Sequence, residues 1–280
     1  SVTVPGLNGG NPITASGKTI STTTPNEIEM FYDDTFCRHE YYNADGFCEA
    51  CGAYQKAIKS GEYYEIYNAG QLFWFAKQFN DSKIPDNSNL KLMRHNWTSI
   101  GDISSNKFFK GNIEGNYHVI SGLRPANDPT SYKRGLVARI QDGKVQNLGL
   151  VLESGWSYGL CYTAVGANIQ NCFVVGTHFL NSSEKGTVTN CLAVSGKLEG
   201  TGSTMSNRAS FKNCYETTKG TFSSWGGITT LDSEEKLKSG EIAYKLNGEK
   251  SEGIWGQVIG TEDYPHFRKY SKTVYYDSAT

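Results

Sequence analysis

The residues with the most definite chemistry in this sequence are three cysteines and one histidine in a short N-terminal stretch. Cys37 and His39 form a CxH pair, and Cys48 and Cys51 belong to the phrase CEACG that follows it. Three thiolates and one imidazole complete the tetrahedral shell of structural zinc and leave no position open for water. The glycine after Cys51 allows the tight turn that points backbone amides at the sulfurs. The sequence therefore predicts one structural zinc ion at these four residues, in a zinc-knuckle-like insert spanning residues 36–61.

A disulfide is the alternative for the same cysteines. Cys37 could pair with Cys48 or with Cys51, which would leave His39 and one thiol without a role. An oxidising compartment favours such a bond. The chain has 7 cysteines, an odd number, and their spacing does not resemble a small disulfide scaffold. The sequence leaves both alternatives open.

A short sequence motif, which we call the phrase, recurs in the middle of the chain. The structure that it forms would have to position the other residues. The form of the phrase is apolar, polar, Asn, then Leu or Cys, and it places four asparagines in equivalent positions: Asn147, Asn171, Asn190 and Asn213. A period of roughly twenty residues is typical of a solenoid, in which each coil buries its apolar face against its neighbours. Asparagine enters the left-handed backbone region readily, so each copy predicts a sharp turn. Stacked amides would then hydrogen-bond as a ladder.

Two details qualify this interpretation of the repeats. An earlier copy of the phrase, at residues 120–123, has Gly122 where the others have asparagine. Glycine reaches the same backbone region, so this copy is predicted to join the column. The alternative is that the asparagines lie in ordinary, unrelated hairpin turns.

The segments around the repeats predict a leader and a capping helix. Residues 1–35 are rich in Ser, Thr, Gly and Pro and are interpreted as an extended leader or linker, with one strand at 18–24. Residues 62–280 are interpreted as the stack with its caps. Asn68 is a helix N-cap with Gln71 three residues later, and the apolar spacing that follows predicts one buried helical face.

The C-terminal part predicts the end of the stack and a second cap. Glu216 would point inward in the last repeat, and a charge there predicts that the stack stops. The residues at 232–235 form a capping box before a short helix that ends near Asn247. The aromatic tail at 255–276 is predicted to fold back on the last repeat.

The amino-acid sequence of these segments resembles the GLUG-type repeats of bacterial cell-surface proteins. FKGNIEGNYHVISGL, GLVARIQDGKVQNLGL and the later phrases that end in NC are similar to the repeats themselves. IYNAGQLFWFAKQF resembles the helical segment that commonly precedes them, and SGEIAYKLNGEKSEGIWGQVIGTEDYPHF the segment that commonly follows. CRHEYYNADGFCEACGAYQKA resembles a cysteine-rich insert in such proteins of gut bacteria. Together the matching segments span residues 37–268.

The resemblance implies an all-β fold, namely a right-handed parallel β-helix with short capping helices. It also implies an extracellular protein, secreted or at the bacterial cell surface. Family members are often parts of large adhesin-like proteins, some of which carry an IgA-peptidase domain.

Composition narrows the range of partners. The 31 glycines and 17 tyrosines favour a turn-rich β protein. A net charge of -1 supplies no basic field, so no nucleic-acid partner is predicted. No apolar run approaches the roughly 18 residues that a bilayer span requires, so no membrane span is predicted.

The catalytic patterns that a β-helical enzyme would need are absent from the sequence. The acids of the repeat region share no column: Asp102, Glu114, Asp128, Asp142, Glu153, Glu184, Glu199 and Glu216. The peptidase signature HExxH does not occur, and His118 and His178 stand alone. Cys172, Cys191 and Cys214 fall in an apolar column and are interpreted as core residues rather than nucleophiles.

The function predicted from these observations is a non-catalytic extracellular module for adhesion, or for binding a host glycan or protein. A polysaccharide-degrading enzyme and a purely structural spacer of a larger surface protein, such as a peptidase, are the alternatives. Aromatic side chains exposed on one face would favour binding. The candidates are Trp156, Tyr158, Tyr162 and Trp225.

Overall fold

The structure of the chain, a computed structural model, describes residues 2–4, 13–15, 39–93, 100, 107–123, 135–152, 158–199, 208–220 and 226–268. The chain divides into two compact units, Ser1–Cys37 and Arg38–Thr280. In the first unit, β1 (Val2–Val4) pairs antiparallel with β2 (Ile13–Ala15). The strand predicted at 18–24 lies outside the described residues.

Strands dominate the second unit, and its helices are short. Its elements in chain order are β3 (Ile58–Ser60), β4 (Tyr63–Ile66), α1 (Ala69–Asn80), β5 (Asn89–Leu92), β6 (Ile113–Leu123), β7 (Val137–Gln141), β8 (Lys144–Leu152), β9 (Tyr158–Val165), β10 (Asn168–Val175), β11 (His178–Glu184), β12 (Thr187–Thr189), β13 (Leu192–Val194), β14 (Ser210–Lys212), β15 (Cys214–Glu216), β16 (Ile228–Thr230), α2 (Glu234–Lys238), α3 (Glu241–Leu246), β17 (Trp255–Gly256) and β18 (His266–Phe267).

The strands of this unit form one large and two small sheets. The large sheet has 11 strands. Nine of them follow the order β16-β15-β13-β10-β8-β6-β5-β4-β3, and in addition β12 pairs with β10 and β14 pairs with β12. The second sheet has 3 parallel strands, β11-β9-β7, and β17 pairs antiparallel with β18. Within the large sheet the pairs from β4 to β16 are parallel, whereas β3 and β4 are antiparallel.

The prediction of a right-handed parallel β-helix is wrong. The large sheet is mixed, because β3 and β4 form a hairpin around Gly61, whose φ of 58° suits a tight turn. The second sheet is small, and two more antiparallel pairs lie outside both sheets. The physical reason is that the repeated phrase sets the register only where it occurs, from β8 to β15. Strands outside the repeats pair according to their own turns.

The asparagine of each phrase divides the parallel strands into two arms. The leading arms are residues 144–146, 168–170, 187–189 and 210–212, and the trailing arms are residues 148–151, 172–175, 191–194 and 214–216. Both arms contribute side chains to one inner core. The main contributors are Val145, Ile169, Val188 and Phe211 from the leading arms, and Leu148, Cys172, Cys191 and Cys214 from the trailing arms.

The predicted earlier copy of the phrase is not aligned with the others. Strand β6 pairs Ile113 with Val145, and Ile120 with Leu150, so residues 120–123 lie beside a trailing arm. The register shifts between Glu114 and His118. Asn116 and Tyr117 in this bulge have positive φ. Several residues therefore make the turn that a single asparagine makes in later strands, and Gly122 is not a member of the column.

Helix α1 confirms the prediction made from the sequence. Asn68 is its N-cap, and its side chain accepts a hydrogen bond of 2.9 Å from the Gln71 backbone N–H. The predicted apolar face is buried, with Phe75 and Phe79 both packing edge-on against the Phe109 ring. The helix therefore joins the inner core near β4 and β5.

The C-terminal segment covers the outer face of the trailing arms rather than the last repeat alone. A second cluster joins Phe173, Leu192 and Tyr215 of three successive trailing arms to α2, α3, β17 and β18. Phe173 lies against Trp255 and Phe267, with ring centroids 6.0 and 5.2 Å away. The trailing arms therefore carry buried apolar side chains on both faces. We call residues 234–267 the C-terminal cap.

Candidate metal centre and the arrangement of the polar side chains

Three of the four predicted zinc ligands converge in the structure. The ligand atoms of His39, Cys48 and Cys51 all lie within 4.8 Å of one another, and Cys51 Sγ is 3.3 Å from His39 Nδ1. This group could hold a metal ion. Cys37, the fourth predicted ligand, lies outside the described residues.

The turn that carries the two thiols has the geometry that the CxxCG phrase predicts. The Cys48 backbone N–H donates to Ala53 O at 2.8 Å, and Gly52 N–H donates to Cys48 O at 2.8 Å. Gly52 has a φ of 72°, a left-handed conformation that disfavours other residues. Before this turn, the Asn43 side chain accepts from Phe47 N–H at 2.9 Å. The chain therefore brings the thiols together without help from distant residues.

The donor set fits zinc better than calcium or magnesium. Two sulfurs and one imidazole nitrogen are ligands that zinc favours, whereas calcium and magnesium take oxygen. Cys48 is buried, and His39 and Cys51 are half-buried. Both cysteines are free thiols.

The loop that carries these three residues, 39–56, is fixed to the N-terminus of α1. Gly70 N–H donates to Asp45 O at 2.6 Å, and Asn68 Nδ2 donates to Gln55 Oε1 at 2.6 Å. The contact is so close that a Cβ on Gly70 would lie 1.8 Å from the carbonyl oxygen of Gly46. Glycine is therefore required at position 70.

Aromatic packing adds to this attachment. The Phe73 ring on α1 lies 5.7 Å from Phe47 and 5.3 Å from Tyr54, both in the loop. Such pairs stabilise by about 0.5–1.5 kcal/mol beyond their buried area. The loop therefore covers the side of α1 that faces away from the inner core.

The four predicted ladder asparagines lie in one column, each with positive φ between 52° and 56°. Asn171 Nδ2 donates to Asn147 Oδ1 at 3.1 Å, Asn190 to Asn171 at 3.2 Å, and Asn213 to Asn190 at 2.9 Å. The backbone conformation and the hydrogen bonds together explain the residue type. The column is thus a continuous chain of amides.

Both ends of the asparagine column have partners that the sequence did not predict. Asn147 Nδ2 donates to Glu114 Oε1 at 3.1 Å, so a carboxylate accepts the first amide hydrogen. Asn213 Nδ2 also donates to Lys245 O in α3 at 2.8 Å. The column therefore links β6 to the C-terminal cap.

The cysteines of the trailing arms lie in a buried row and are poor nucleophile candidates. Cys172, Cys191 and Cys214 are each 0–1% exposed, and all three are free thiols. Their Sγ atoms contact backbone carbonyl oxygens, at 3.2 Å for Cys191 to Thr189 O. Burial raises the pKa of the Cys191 thiol well above its usual value. A thiol held neutral in this way is unreactive.

The prediction that the stack ends at Glu216 is wrong. Strand β15 pairs with β16, and Glu216 lies opposite Thr230, so one more strand follows the last repeat. The Glu216 carboxylate is buried and accepts from Leu198 N–H at 2.9 Å, Gly220 N–H at 3.0 Å and Thr230 Oγ1 at 3.0 Å. These donors compensate for burial of the charge, so an inward carboxylate is compatible with a continuing sheet.

Two other acidic residues of the repeat region, Glu114 and Glu199, have partners within the fold. Glu114 accepts from the side chains of Gln146 and Asn147, and from Asn116 N–H at 2.7 Å. Glu199 is buried and pairs with Arg208 and with the Ser183 hydroxyl. Asp102, Asp128 and Glu153 lie outside the described residues. Glu184 is exposed at the end of β11, and Asp142 lies in a turn with a φ of 55°.

The two lone histidines are held by the strands around them. His118 is buried in β6. His178 is half-buried in β11, where its Nδ1 accepts from Lys197 N–H at 3.2 Å. Burial lowers the pKa of His178 below its usual value, and the charge of Lys197 acts in the same direction.

The aromatic binding candidates are only partly described. Tyr158 and Tyr162 of β9 are neighbours, with ring centroids 5.6 Å apart, and Tyr158 lies 6.1 Å from the His178 ring. Both tyrosines are half-buried. Trp156 and Trp225 lie outside the described residues.

A polar surface that was not predicted lies on the outer side of the leading arms and continues across β4, β5 and β6. One row crosses seven strands in register and consists of Glu65, Lys91, Glu114, Gln146, Gln170, Thr189 and Lys212. A second row beside it consists of Asn89, Asn112, Lys144, Asn168, Thr187 and Ser210. Their side chains are exposed or half-buried. We call these two rows the polar face.

The signal for the polar face was present in the sequence. Polar residues flank each buried apolar residue of the leading arms, as in Asn168-Ile169-Gln170 and Thr187-Val188-Thr189. Strict alternation places the flanking residues on the opposite side of the strand from the core.

No protein-family model, curated protein or solved structure matches the chain. Among the residues that the structure describes, no helix combines the length and apolar composition that crossing a membrane requires.

Proposed function

We propose that the chain is a non-catalytic binding module of a larger bacterial surface protein, located outside the cell and stabilised by one structural zinc ion. Its partner is a host glycan or protein. The location and the bacterial origin rest on the resemblance of the repeats to GLUG-type sequences. The binding role and the zinc ion are supported by the arrangement of side chains.

The observation that carries the proposal is that the carboxylates of three glutamates bond to other parts of the fold. Glu199 and Glu216 accept hydrogen bonds from neighbouring strands or pair with arginine, and Glu114 terminates the asparagine column. A glycosidase needs two carboxyl groups facing the same bond, and a pectate-lyase-type site needs clustered carboxylates for calcium. Carboxylates that stabilise the fold in separate places favour a non-catalytic role.

The chemistry of the metal group supports a structural rather than catalytic ion. Two thiols and an imidazole, joined by Cys37 as the predicted fourth ligand, would leave no coordination position for water or substrate. The ion would supply cross-linking of the loop and no reaction chemistry. His39, Cys48 and Cys51 would bind it, and the loop would transmit this restraint to the start of α1 through Asp45 and Gln55.

Elemental analysis of the purified intact chain tests the metal assignment. We expect about one zinc per chain, lost in Cys48→Ser because one thiolate ligand is removed. Cys172→Ala is the matched control, since it also removes a buried thiol but not a ligand, and it should retain zinc. A metal-free, folded chain with Cys37 in a disulfide would contradict the assignment.

A hydrolysis assay separates the proposed function from the enzyme alternative. The intact chain should release no reducing sugar from neutral or anionic polysaccharides under conditions in which a glycosidase control is active. Measurable release that disappears in Glu199→Gln or Glu216→Gln would contradict the non-catalytic assignment. A chain that neither hydrolyses nor binds any glycan or protein probe would be a spacer.

A further inference from the structure

The outer side of the leading arms, continued across β4, β5 and β6, carries mostly polar side chains that are exposed or half-buried. Its side chains are amides, hydroxyls and a few charges, arranged in two rows at the regular spacing of parallel strands. Exposed strand surfaces with this composition offer many hydrogen-bond donors and acceptors and little apolar area. The polar face therefore suits a ligand that binds through many hydrogen bonds.

Hydrogen bonds within the polar face hold its side chains in place. Asn112 Oδ1 accepts from Lys144 N–H at 2.9 Å, and Asn89 Oδ1 accepts from Asn112 N–H at 2.7 Å. Thr187 Oγ1 donates to Asn168 Oδ1 at 2.8 Å. Because these contacts use the carbonyl oxygens of the amides, the amide N–H groups keep donors for a ligand. Side chains already ordered in this way lose less conformational entropy on binding.

The charge of the polar face selects among ligand classes. In the first row the ammonium group of Lys91 lies in register between the carboxylates of Glu65 and Glu114, and Lys212 lies at the far end of the same row. The ammonium group of Lys144 belongs to the second row. Mixed charges of this kind create no field of one sign, so they match neither an anionic glycan nor nucleic acid. The face also lacks the apolar centre that protein interfaces contain. An uncharged ligand rich in hydroxyls is the complementary partner.

The spacing favours a chain over a compact ligand. Neighbouring strands of a sheet lie about 4.8 Å apart, and the row from Glu65 to Lys212 therefore extends for about 29 Å over six strand intervals. A linear pyranose chain advances by a comparable distance with each sugar. Successive sugars would thus meet chemically similar side chains on successive strands.

We propose that the polar face binds an extended, uncharged polysaccharide that runs across the leading arms. This proposal rests on the proposed binding function and identifies the face and ligand class. Gln170 and Asn168 lie in the middle of the two rows and are exposed on β10, so they should contribute directly to binding.

Affinity electrophoresis tests the proposal with the intact chain in gels that contain hydroxyethylcellulose, galactomannan or arabinoxylan. Heparin and hyaluronan gels run in parallel represent anionic glycans. We expect retardation in at least one neutral gel. The double variant Asn168→Ala/Gln170→Ala should bind about tenfold more weakly, equivalent to about 1.4 kcal/mol. Glu184→Ala/Lys250→Ala, which changes exposed residues outside the face, should bind like the unmodified chain.

The possible failures are distinguishable. Retardation confined to the anionic gels, no retardation in any gel, or unchanged affinity of Asn168→Ala/Gln170→Ala would each overturn the polar-face proposal. In the first and third cases the chain still binds glycans, and the broader binding function stands. Release of reducing sugar from the same polysaccharides would instead overturn the non-catalytic function. Thermal unfolding of each variant checks that a loss of affinity is not a loss of fold.

Discussion

The leading and trailing arms belong to the same strands, yet their outer faces have opposite chemistry. In β10, Asn168 and Gln170 are exposed before the asparagine, whereas Phe173 is fully buried two residues after it. The inner faces of both arms enter the same core. The difference teaches that the asparagine turn separates two environments of one strand. The trailing arm of β10 is buried on both faces, while the leading arm keeps one face exposed to solvent.

The largest expected effect comes from removing the central aromatic ring of the trailing arms. Phe173→Ala should lower the free energy of unfolding by about 3–5 kcal/mol, because Phe173 is fully buried against Trp255 and Phe267. Gln170→Ala, three residues earlier on the exposed leading arm, should change it by less than about 0.5 kcal/mol. Urea denaturation measures both. Equal effects would show that the two arms do not differ.

Phe173→Leu provides a milder version if the alanine variant does not fold. It should destabilise the chain by about 1–2 kcal/mol, since a buried side chain remains but the ring contacts are lost. The position has little freedom to adapt, because a Cβ on the neighbouring Gly149 would already lie 2.4 Å from the Phe173 ring.

The next effect concerns the column that separates the arms. Asn171→Leu should destabilise by about 1–3 kcal/mol, because leucine is strained at a φ of 52° and leaves the amides of Asn147 and Asn190 without their partner. Asn171→Gly keeps the backbone conformation and loses only the amide contacts, so its effect should be smaller. Tolerance of the leucine substitution would contradict a stabilising role for the column.

The smallest effect is a pH dependence in the C-terminal cap. Burial lowers the pKa of His266 below 6.5, although the charge of Glu262 acts in the opposite direction. The folded cap therefore holds a neutral imidazole that the unfolded chain protonates near its ordinary pKa. Stability should be unaffected well above pH 6.5 and should fall as the pH drops through that value toward the lower folded-state pKa.

The variant His266→Gln checks this dependence. Its unfolding midpoint should vary less between pH 7 and 5 than that of the unmodified chain, because the titrating group is gone. His178→Gln is a useful comparison, since burial also lowers the pKa of His178, but in the second sheet rather than the cap. An unchanged pH profile in His266→Gln would show that the cap does not discriminate against the charged imidazole.

Local features of the structure were predictable because local chemistry determines them. Asn68 with Gln71 is an N-cap whose signals lie within one helical turn, and the capping box predicted at 232–235 lies at the start of α2, where Ser233 is the N-cap. The convergence of Cys48 and Cys51 likewise follows from a short turn with Gly52. In each case the residues that form the structure are adjacent in the chain.

Features that depend on distant segments were not predictable in the same way. The register of β6 depends on the bulge at Asn116 and Tyr117. The similar phrase at 120–123 predicted a different alignment. Glu216 looked incompatible with a further strand because its donors, among them Leu198 N–H, come from another segment. The cap over the trailing arms is another case, since Phe173 meets Trp255 only after folding. Apolar residues on both faces of the trailing arms were the missed signal.

The central claim is that the outer face is exposed in the leading arms and covered in the trailing arms. The most direct test compares maleimide labelling of Thr187→Cys and Val194→Cys under native conditions, with peptide mapping to separate them from the natural thiols. The two residues are similar in size and lie on successive strands, but Thr187 is exposed and Val194 packs under the cap. We predict rapid labelling at position 187, and labelling at position 194 only after denaturation. Equal native rates would contradict the account.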